Sequence, residues 1–142
     1  MLITNHVLAG ALVGAACPGP VTAFLAGVVS HPAMDAVPHF GMLDDTEFLE
    51  VAVVDGLLGL ATLTAITVRT PTARRAVVLA VMLGACFLDA DKPSRQFFGR
   101  SPFPAALDAW HGRIQRESRR RLPQEVLVAL AGALVVRRML TR

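Results

Sequence analysis

The chain has 142 residues, of which 54% are hydrophobic and 18% are charged, against about 25% charged residues in an average soluble domain. This length corresponds to a single domain over 1–142 and excludes a separate accessory module. The formal net charge is +3, but the chain has no tyrosine and no aromatic-studded basic stretch, which argues against a nucleic-acid partner. Its two isolated cysteines exclude a disulfide framework. The composition therefore favours an integral membrane protein.

Two apolar helices are predicted before residue 40. The first runs over 6–16, where Gly10 and Gly14 are spaced so that another helix can approach closely. Because no basic residue precedes that apolar run, a cleaved signal peptide is not expected. The second helix begins at Pro20, is bent or restarted at Pro32 and is ended by Pro38.

The rest of the chain predicts three or four further helices. The apolar run 48–68 has about the 20 residues needed to span a bilayer, and 76–88 is a shorter apolar run. Prolines and glycine in 89–104 predict a loop, 105–121 predicts an amphipathic helix lying at the membrane surface, and 123–136 is the last apolar helix. We therefore expect an all-α bundle of five or six helices, mostly embedded in the membrane.

Basic residues cluster at the ends of the apolar segments, at 69–75, 112–121 and 137–142. Such clusters are typical of anchors to anionic lipid headgroups. They indicate a multi-pass protein of the cell membrane, with lipids as partners and the basic segment 89–122 on the cytoplasmic side. A homo-oligomer is compatible with this pattern.

The histidines predict a metal centre. His31 and Asp35 are four residues apart, which places them on one face of a helix, and His39 lies eight residues from His31. Imidazole and carboxylate groups are ligands of zinc and related divalent ions. We expect His31, Asp35 and His39 to form the core of the ligand set, with His6 and His111 arriving from other helices. Zinc is the expected ion, with magnesium or manganese as alternatives.

Three further residues are candidates for catalysis. Asp55 interrupts the longest apolar run, and an ionisable group at that depth is either functional or paired. Asp89 ends an apolar segment and could join the metal centre or simply mark a helix end. Arg113 could hold a phosphate through two hydrogen bonds, although an arginine near lipid headgroups is a common alternative.

Adjacent carboxylates at Asp44 and Asp45, and the pair Asp89 and Asp91, could instead hold a magnesium diphosphate. For the first pair, stabilisation of a helix start is the stronger interpretation, because acidic residues favour the positive end of the helix dipole.

Two resemblances bear on these residues. The segments around Asn5-His6, Ser30-His31 to His39-Phe40, and Trp110-His111-Gly-Arg113-Ile114-Gln115 resemble the short bacterial membrane-bound proteins called metal-dependent hydrolases. More distantly, the His31-x-x-x-Asp35 core is similar to the all-helical zinc-dependent phospholipase C and nuclease group. The chain departs from that group in the spacing of His31 and His39 and in lacking its N-terminal Trp ligand, so the same number of zinc ions is not implied.

These patterns favour a membrane-embedded metal-dependent hydrolase that acts on a phosphoester or related bond of an amphipathic, lipid-like substrate. Two alternatives remain open. One is an intramembrane isoprenoid cyclase or transferase that uses its aspartates as acids or as ligands of magnesium diphosphate. The other is a non-enzymatic membrane scaffold in which polar side chains join the helices.

Overall fold

The computed structural model describes residues 1–41 and 45–141, and this part of the chain is all-helical. Asp44 and the side chain of Asp45, the predicted diphosphate ligands, lie outside the described residues. The seven α-helices of the described part are α1 (Ile3–Gly14), α2 (Pro20–Asp35), α3 (Asp45–Arg69), α4 (Thr72–Cys86), α5 (Asp91–Phe98), α6 (Ala105–Ile114) and α7 (Leu122–Leu140). Short 3-10 turns at Leu88–Ala90 and Arg119–Arg121 precede α5 and α7.

The all-α class is confirmed, with seven helices among the described residues where five or six were expected. A mostly embedded bundle is not supported, since one described helix is a candidate membrane span. Three segment predictions were wrong. The segment predicted as a loop over 89–104 contains α5, which ends at Gly99 in the left-handed conformation that glycine favours. The predicted surface helix over 105–121 ends at Ile114, because residues beyond it pair their main chain with residue 39. α2 also passes through Pro32 without interruption and ends at Asp35, before Pro38.

Close backbone contact joins α4 to α1 and α2. A Cβ atom at Gly27 of α2 would lie 2.2 Å from the carbonyl oxygen of Val81, and one at Gly84 of α4 would lie 2.2 Å from that of Phe24. On α1, a Cβ atom at Gly10 would lie 3.0 Å from the Met82 backbone. The spacing of small residues on α1 thus does mark a helix contact, as expected. The helix ends that carry the polar residues are brought together by these contacts.

At the opposite end of the bundle, an arginine side chain caps the C-terminus of α1. The Arg74 guanidinium donates to the carbonyl oxygens of Gly14 and Cys17, each at 2.9 Å, at the end of α1. A cation is stabilising there because the last carbonyls of a helix have no partners within the helix.

One helix of the described residues is long and apolar enough to cross a membrane, over Leu49–Arg69 within α3. Only 11% of its most apolar stretch is buried against the rest of the protein. Large apolar side chains are more than half exposed on four of the described helices: Val53, Val54, Leu57, Leu58, Leu60 and Val68 on α3, Val21, Leu25 and Val29 on α2, Phe97 and Phe98 on α5, and Leu127, Leu130 and Leu134 on α7. Exposed apolar surface of this extent is typical of a membrane or protein contact.

The contact between α2 and α4 is testable by adding a single methyl group. We expect Gly27→Ala to lower the free energy of unfolding by about 2–3 kcal/mol, because the added carbon overlaps backbone atoms that cannot move aside. Gly56→Ala on α3 is the matched control, since its Cβ meets no atom within 4 Å, and it should raise stability by up to about 1 kcal/mol. Chemical unfolding in detergent measures both, and equal stability of the two variants would contradict the packing.

Candidate metal centre

Five buried polar side chains converge where α1, α2, α4 and α6 meet. His6 comes from α1, His31 and Asp35 from the last turn and a half of α2, Asp89 from the 3-10 turn after α4, and His111 from α6. The first three are fully buried and the other two nearly so. Burial of so many ionisable groups is costly unless they pair with one another or bind a metal.

Three of these side chains form a nearly equilateral triangle of donor atoms. His31 Nε2 lies 3.0 Å from His111 Nε2 and 3.0 Å from Asp35 Oδ2, and His111 Nε2 lies 3.1 Å from Asp35 Oδ2. Ligand atoms around a tetrahedral zinc ion are roughly 3.3 Å apart. The triangle therefore matches three corners of such a tetrahedron to within a few tenths of an ångström.

The protonation of His31 follows from its other nitrogen. His31 Nδ1 lies 2.6 Å from the carbonyl oxygen of Ala85 and must donate to it, since a carbonyl only accepts. In the neutral imidazole, Nε2 then carries a lone pair that faces the Asp35 carboxylate. Two acceptors at this distance repel unless a proton or a cation lies between them. A backbone carbonyl that fixes the tautomer in this way is the usual support for a metal-binding histidine.

Asp89 adds a fourth donor to the triangle. Its carboxylate lies 3.9 Å from His31 Nε2, and one ligand atom from each of His31, Asp35, Asp89 and His111 lies within 4.8 Å of all the others. Two nitrogens and two oxygens form a donor set that suits zinc and other divalent transition metals. The structure thus provides a buried four-residue group that could hold a metal ion.

His6 borders this group. Its ring stacks on that of His31 with a centroid distance of 4.0 Å, and its Nε2 lies 3.2 Å from Asp35 Oδ1 and 3.6 Å from Asp89 Oδ2. Neither ring nitrogen has a hydrogen bond of good geometry to a described residue. The Met1 amino group donates to the same Asp35 oxygen at 2.8 Å. His6 therefore faces the second oxygen of Asp35, beside the triangle.

The neighbouring charges favour ionised groups at the edge of the site. Burial alone would raise the pKa of Asp89, but the ammonium of Lys92, and His6 and His31 when their rings are protonated, hold it below its ordinary value. Asp89, 2.8 Å away, raises the pKa of Lys92 in spite of its burial. Burial raises the pKa of Asp91. Lys92 is therefore a permanent cation at neutral pH beside the proposed ligands.

Two predicted site residues lie apart from the group of four. His39 is fully buried, but its main chain pairs with residues 116 and 118, its Nδ1 donates to the carbonyl of Val37, and its Nε2 lies 3.9 Å from Glu117. Arg113 is exposed on α6, and its Nε donates to the carbonyl oxygen of Ala109. The described contacts place neither residue at the triangle.

Asp55 lies at the start of α1. Its two carboxylate oxygens accept hydrogen bonds from the main-chain nitrogens of Ile3, at 2.5 Å, and Thr4, at 3.2 Å, and from the Thr4 hydroxyl at 2.7 Å. The first nitrogens of a helix have no partners within the helix, so a carboxylate supplied by α3 acts as a cap. Asp55 therefore holds α1, and with it His6, in place.

Sequence reasoning assigned no role to three side chains that support the site. The Gln115 amide lies 3.1 Å from His111 Nε2, and Lys92 contacts Asp89. Glu125 is buried and accepts from the Asn5 amide at 2.6 Å and from the main chain of Leu2 and Phe40. The spacing of four between His111 and Gln115, and of three between Asp89 and Lys92, is a helical signal that could have revealed two of them.

A cavity of about 790 Å³ lies beside the candidate metal centre. Its polar end is lined by Asp89, Lys92, Gln115 and Glu117. The rest of the lining includes Asp55 but is mostly apolar, with Ile3, Leu49, Val53, Leu57, Leu60 and Phe97. This volume is within the range of about 300–1,000 Å³ typical of small-molecule sites.

No protein-family model, curated protein or solved structure matches this chain. The fold and the geometry of the site are therefore the basis for any functional proposal.

The capping role of Asp55 separates it from the metal ligands. We expect Asp55→Asn to lower the free energy of unfolding by about 1–3 kcal/mol, because a charged acceptor of helix N–H groups is lost. The content of bound metal at saturation should be unchanged. Glu50→Gln, at an exposed position of the same helix, should leave both quantities unchanged. Loss of metal with unchanged stability in Asp55→Asn would place this carboxylate in the metal centre instead.

Proposed function

We propose that this protein is a membrane-embedded, metal-dependent hydrolase that acts on a phosphoester or related bond of a lipid-like substrate. The observation that carries the proposal is the triangle of potential ligand atoms formed by His31, Asp35 and His111. It is buried against Asp89 and Gln115, which line the polar end of a largely apolar cavity. Zinc is the proposed ion, because two imidazoles and two carboxylates are donors that it accepts readily; manganese and magnesium are the alternatives.

When bound, a divalent ion would supply an activated water and polarise a phosphoryl or acyl oxygen. The residues of the chain have separate roles around it. His31, Asp35, Asp89 and His111 would hold the ion. The Gln115 amide donates to Asp35 Oδ2, and Lys92 attracts the negative charge of a substrate. Asp89 thus changes from a predicted catalytic residue to a proposed ligand, while Asp55 and Glu125 position the helices.

Two arginine bands support embedding in a bilayer. Near the metal centre, exposed arginines follow α6, and Arg119 pairs with Glu47 in the first turn of α3 at 2.8 Å. At the other end of the bundle are the exposed Arg69, Arg75, Arg137 and Arg138. The apolar stretch of α3 between the bands is roughly 30 Å long, which equals the hydrocarbon thickness of a bilayer.

The same geometry gives the proposed depth of the site. Asp55 lies six residues after Leu49, where the candidate span begins, or about 9 Å along the helix. The metal centre, on the far side of the α1 start that Asp55 caps, would then lie close to one membrane surface. This position would give the site access both to water and to lipid headgroups.

The ligand set predicts the outcome of metal analysis. We expect the purified protein to retain about one zinc ion per chain. His31→Gln and His111→Gln should each reduce this zinc content at least about tenfold, because each removes a side chain that would bind the ion directly. His39→Gln is the control: it changes an equally buried imidazole outside the triangle and should keep the metal. Elemental analysis of the folded, monodisperse fraction of each variant is the measurement. Stoichiometric zinc in His31→Gln would contradict the assignment.

Hydrolysis should depend on the bound metal. In lipid nanodiscs, we expect hydrolysis of phosphoester lipids to be lost with a chelator, restored by zinc, and reduced by about two orders of magnitude or more in His31→Gln. Phosphate release measured against time tests this expectation. A protein with neither bound zinc nor hydrolysis would favour the non-enzymatic scaffold, and full activity in His31→Gln would contradict the role of the metal site. Conversion of polyprenyl substrates in the presence of chelator would favour the isoprenoid enzyme.

A further inference from the structure

We propose that the cavity beside the metal centre binds one membrane lipid that carries a phosphate group, with the phosphate between Lys92 and the metal centre and the alkyl chain along α3. This inference rests on the proposed function and names the substrate class of the same site. It is carried by the arrangement of one polar end and one long apolar wall in a single cavity.

The apolar wall has the shape of a groove for a chain. Leu49, Val53, Leu57 and Leu60 are spaced by four, four and three residues, which places them in one stripe along α3. The stripe is about 16 Å long. On the other side, Ile3 at the start of α1 and Phe97 of α5 also line the cavity.

The same helix connects the cavity to the bilayer. Val53, Leu57 and Leu60 line the cavity and yet are 52%, 64% and 61% exposed, so the cavity is continuous with the outer, apolar surface of α3. A lipid could therefore reach the site sideways from the bilayer while its chain stays among apolar side chains. A soluble phosphoester would leave this wall in contact with water, at a cost proportional to its apolar area.

Charge selects the head of the lipid. Lys92 lines the cavity, and its ammonium lies 2.8 Å from the Asp89 carboxylate, at the edge of the proposed ligand set. The carboxylates of Asp35 and Asp89 alone would repel a phosphate. A divalent ion would balance these two charges, and Lys92 would then act with the Met1 ammonium, against the single carboxylate of Glu117, to attract an anion. Binding of a phosphate head should therefore require the metal.

The ligand test measures binding, which does not depend on turnover. The probes are hexadecyl phosphate, hexadecanol and inorganic phosphate, titrated by calorimetry into the full-length, zinc-loaded protein in a neutral detergent. We expect hexadecyl phosphate to bind at least about tenfold more tightly than either of the other two probes, because hexadecanol lacks the phosphate and inorganic phosphate lacks the alkyl chain. A chelator should reduce its affinity to that of hexadecanol.

Substitutions on α3 test the position of the chain. Leu57→Trp fills the cavity and should weaken binding of hexadecyl phosphate by about tenfold, while zinc content and the affinity for inorganic phosphate stay unchanged. Leu58→Trp is the matched control, because Leu58 is similarly exposed but does not line the cavity, and it should bind like the unmodified protein. Equal effects of the two substitutions would overturn the proposed position of the chain.

Substitutions of Lys92 test the position of the head. Lys92→Gln should weaken hexadecyl phosphate binding by about tenfold and leave hexadecanol binding unchanged, whereas Lys92→Arg should restore most of the loss because it restores the positive charge. Zinc content is measured in both variants. Unchanged phosphate affinity in Lys92→Gln would overturn the proposed position of the head.

The remaining outcomes separate this inference from the proposed function. If zinc binds and a short, soluble phosphoester is hydrolysed, but chain length has no effect on affinity, the lipid assignment is wrong and the hydrolase stands. If hexadecyl phosphate binds equally well with chelator, its head does not lie at the metal centre and the assignment is wrong. If zinc does not bind at all, both proposals fail.

Discussion

The burial of the Asp35 carboxylate is the constraint on which the rest of the structure depends. This side chain is fully buried, and one or both of its oxygens lie within 3.2 Å of His6, His31, His111 and the Met1 amino group. A carboxylate in the protein interior costs several kcal/mol unless it is paired, so the helices that carry its partners must end at the same place. The close backbone contacts at Gly27 and Gly84 hold α2 against α4, whose last turn supplies the Ala85 carbonyl that binds His31.

The buried acidic residues fall into two groups according to what faces them. Asp55 and Glu125 accept hydrogen bonds from main-chain and amide N–H groups. These hydrogen bonds replace those that each carboxylate would make with water. Asp35 Oδ2 faces Nε2 of His31, whose Nδ1 donates to the Ala85 carbonyl, so a proton or a metal ion must lie between these two atoms. Only this second arrangement needs a further proton or cation. This difference, more than burial alone, separates the candidate metal centre from the polar contacts that join the helices.

The bundle has an apolar exterior and a polar interior, and the two are related. A bundle that exposes leucine and valine on α2, α3 and α7 would be poorly soluble in water. In a bilayer, the same side chains would contact lipid instead of water. The buried polar residues pair with one another inside the bundle, which lowers the cost of removing them from water. The cavity lies where these two environments meet, with the candidate metal centre near one end and α3 along its wall.

The sequence by itself determined the helical class, the approximate positions of α1 to α4, and the neighbourhood of His31 and Asp35. These features are local: apolar runs, prolines, and a spacing of four residues fix which side chains share a helix face. The helix α5 was missed because its eight residues carry a proline and few apolar side chains. The three-residue spacing of Asp89 and Lys92 has meaning only once that segment is helical.

Only the tertiary structure decided which distant side chains meet. His39 is near His31 in the chain, yet its main chain is paired with residues 116 and 118, while His111, 80 residues away, completes the triangle. Asp55, the most conspicuous charge in the longest apolar run, lies against the start of α1 and not at the metal centre. Composition and spacing indicate which chemistry a side chain is capable of. Its partner is set by the packing of helices that are far apart in sequence, since long-range contacts have no local signal.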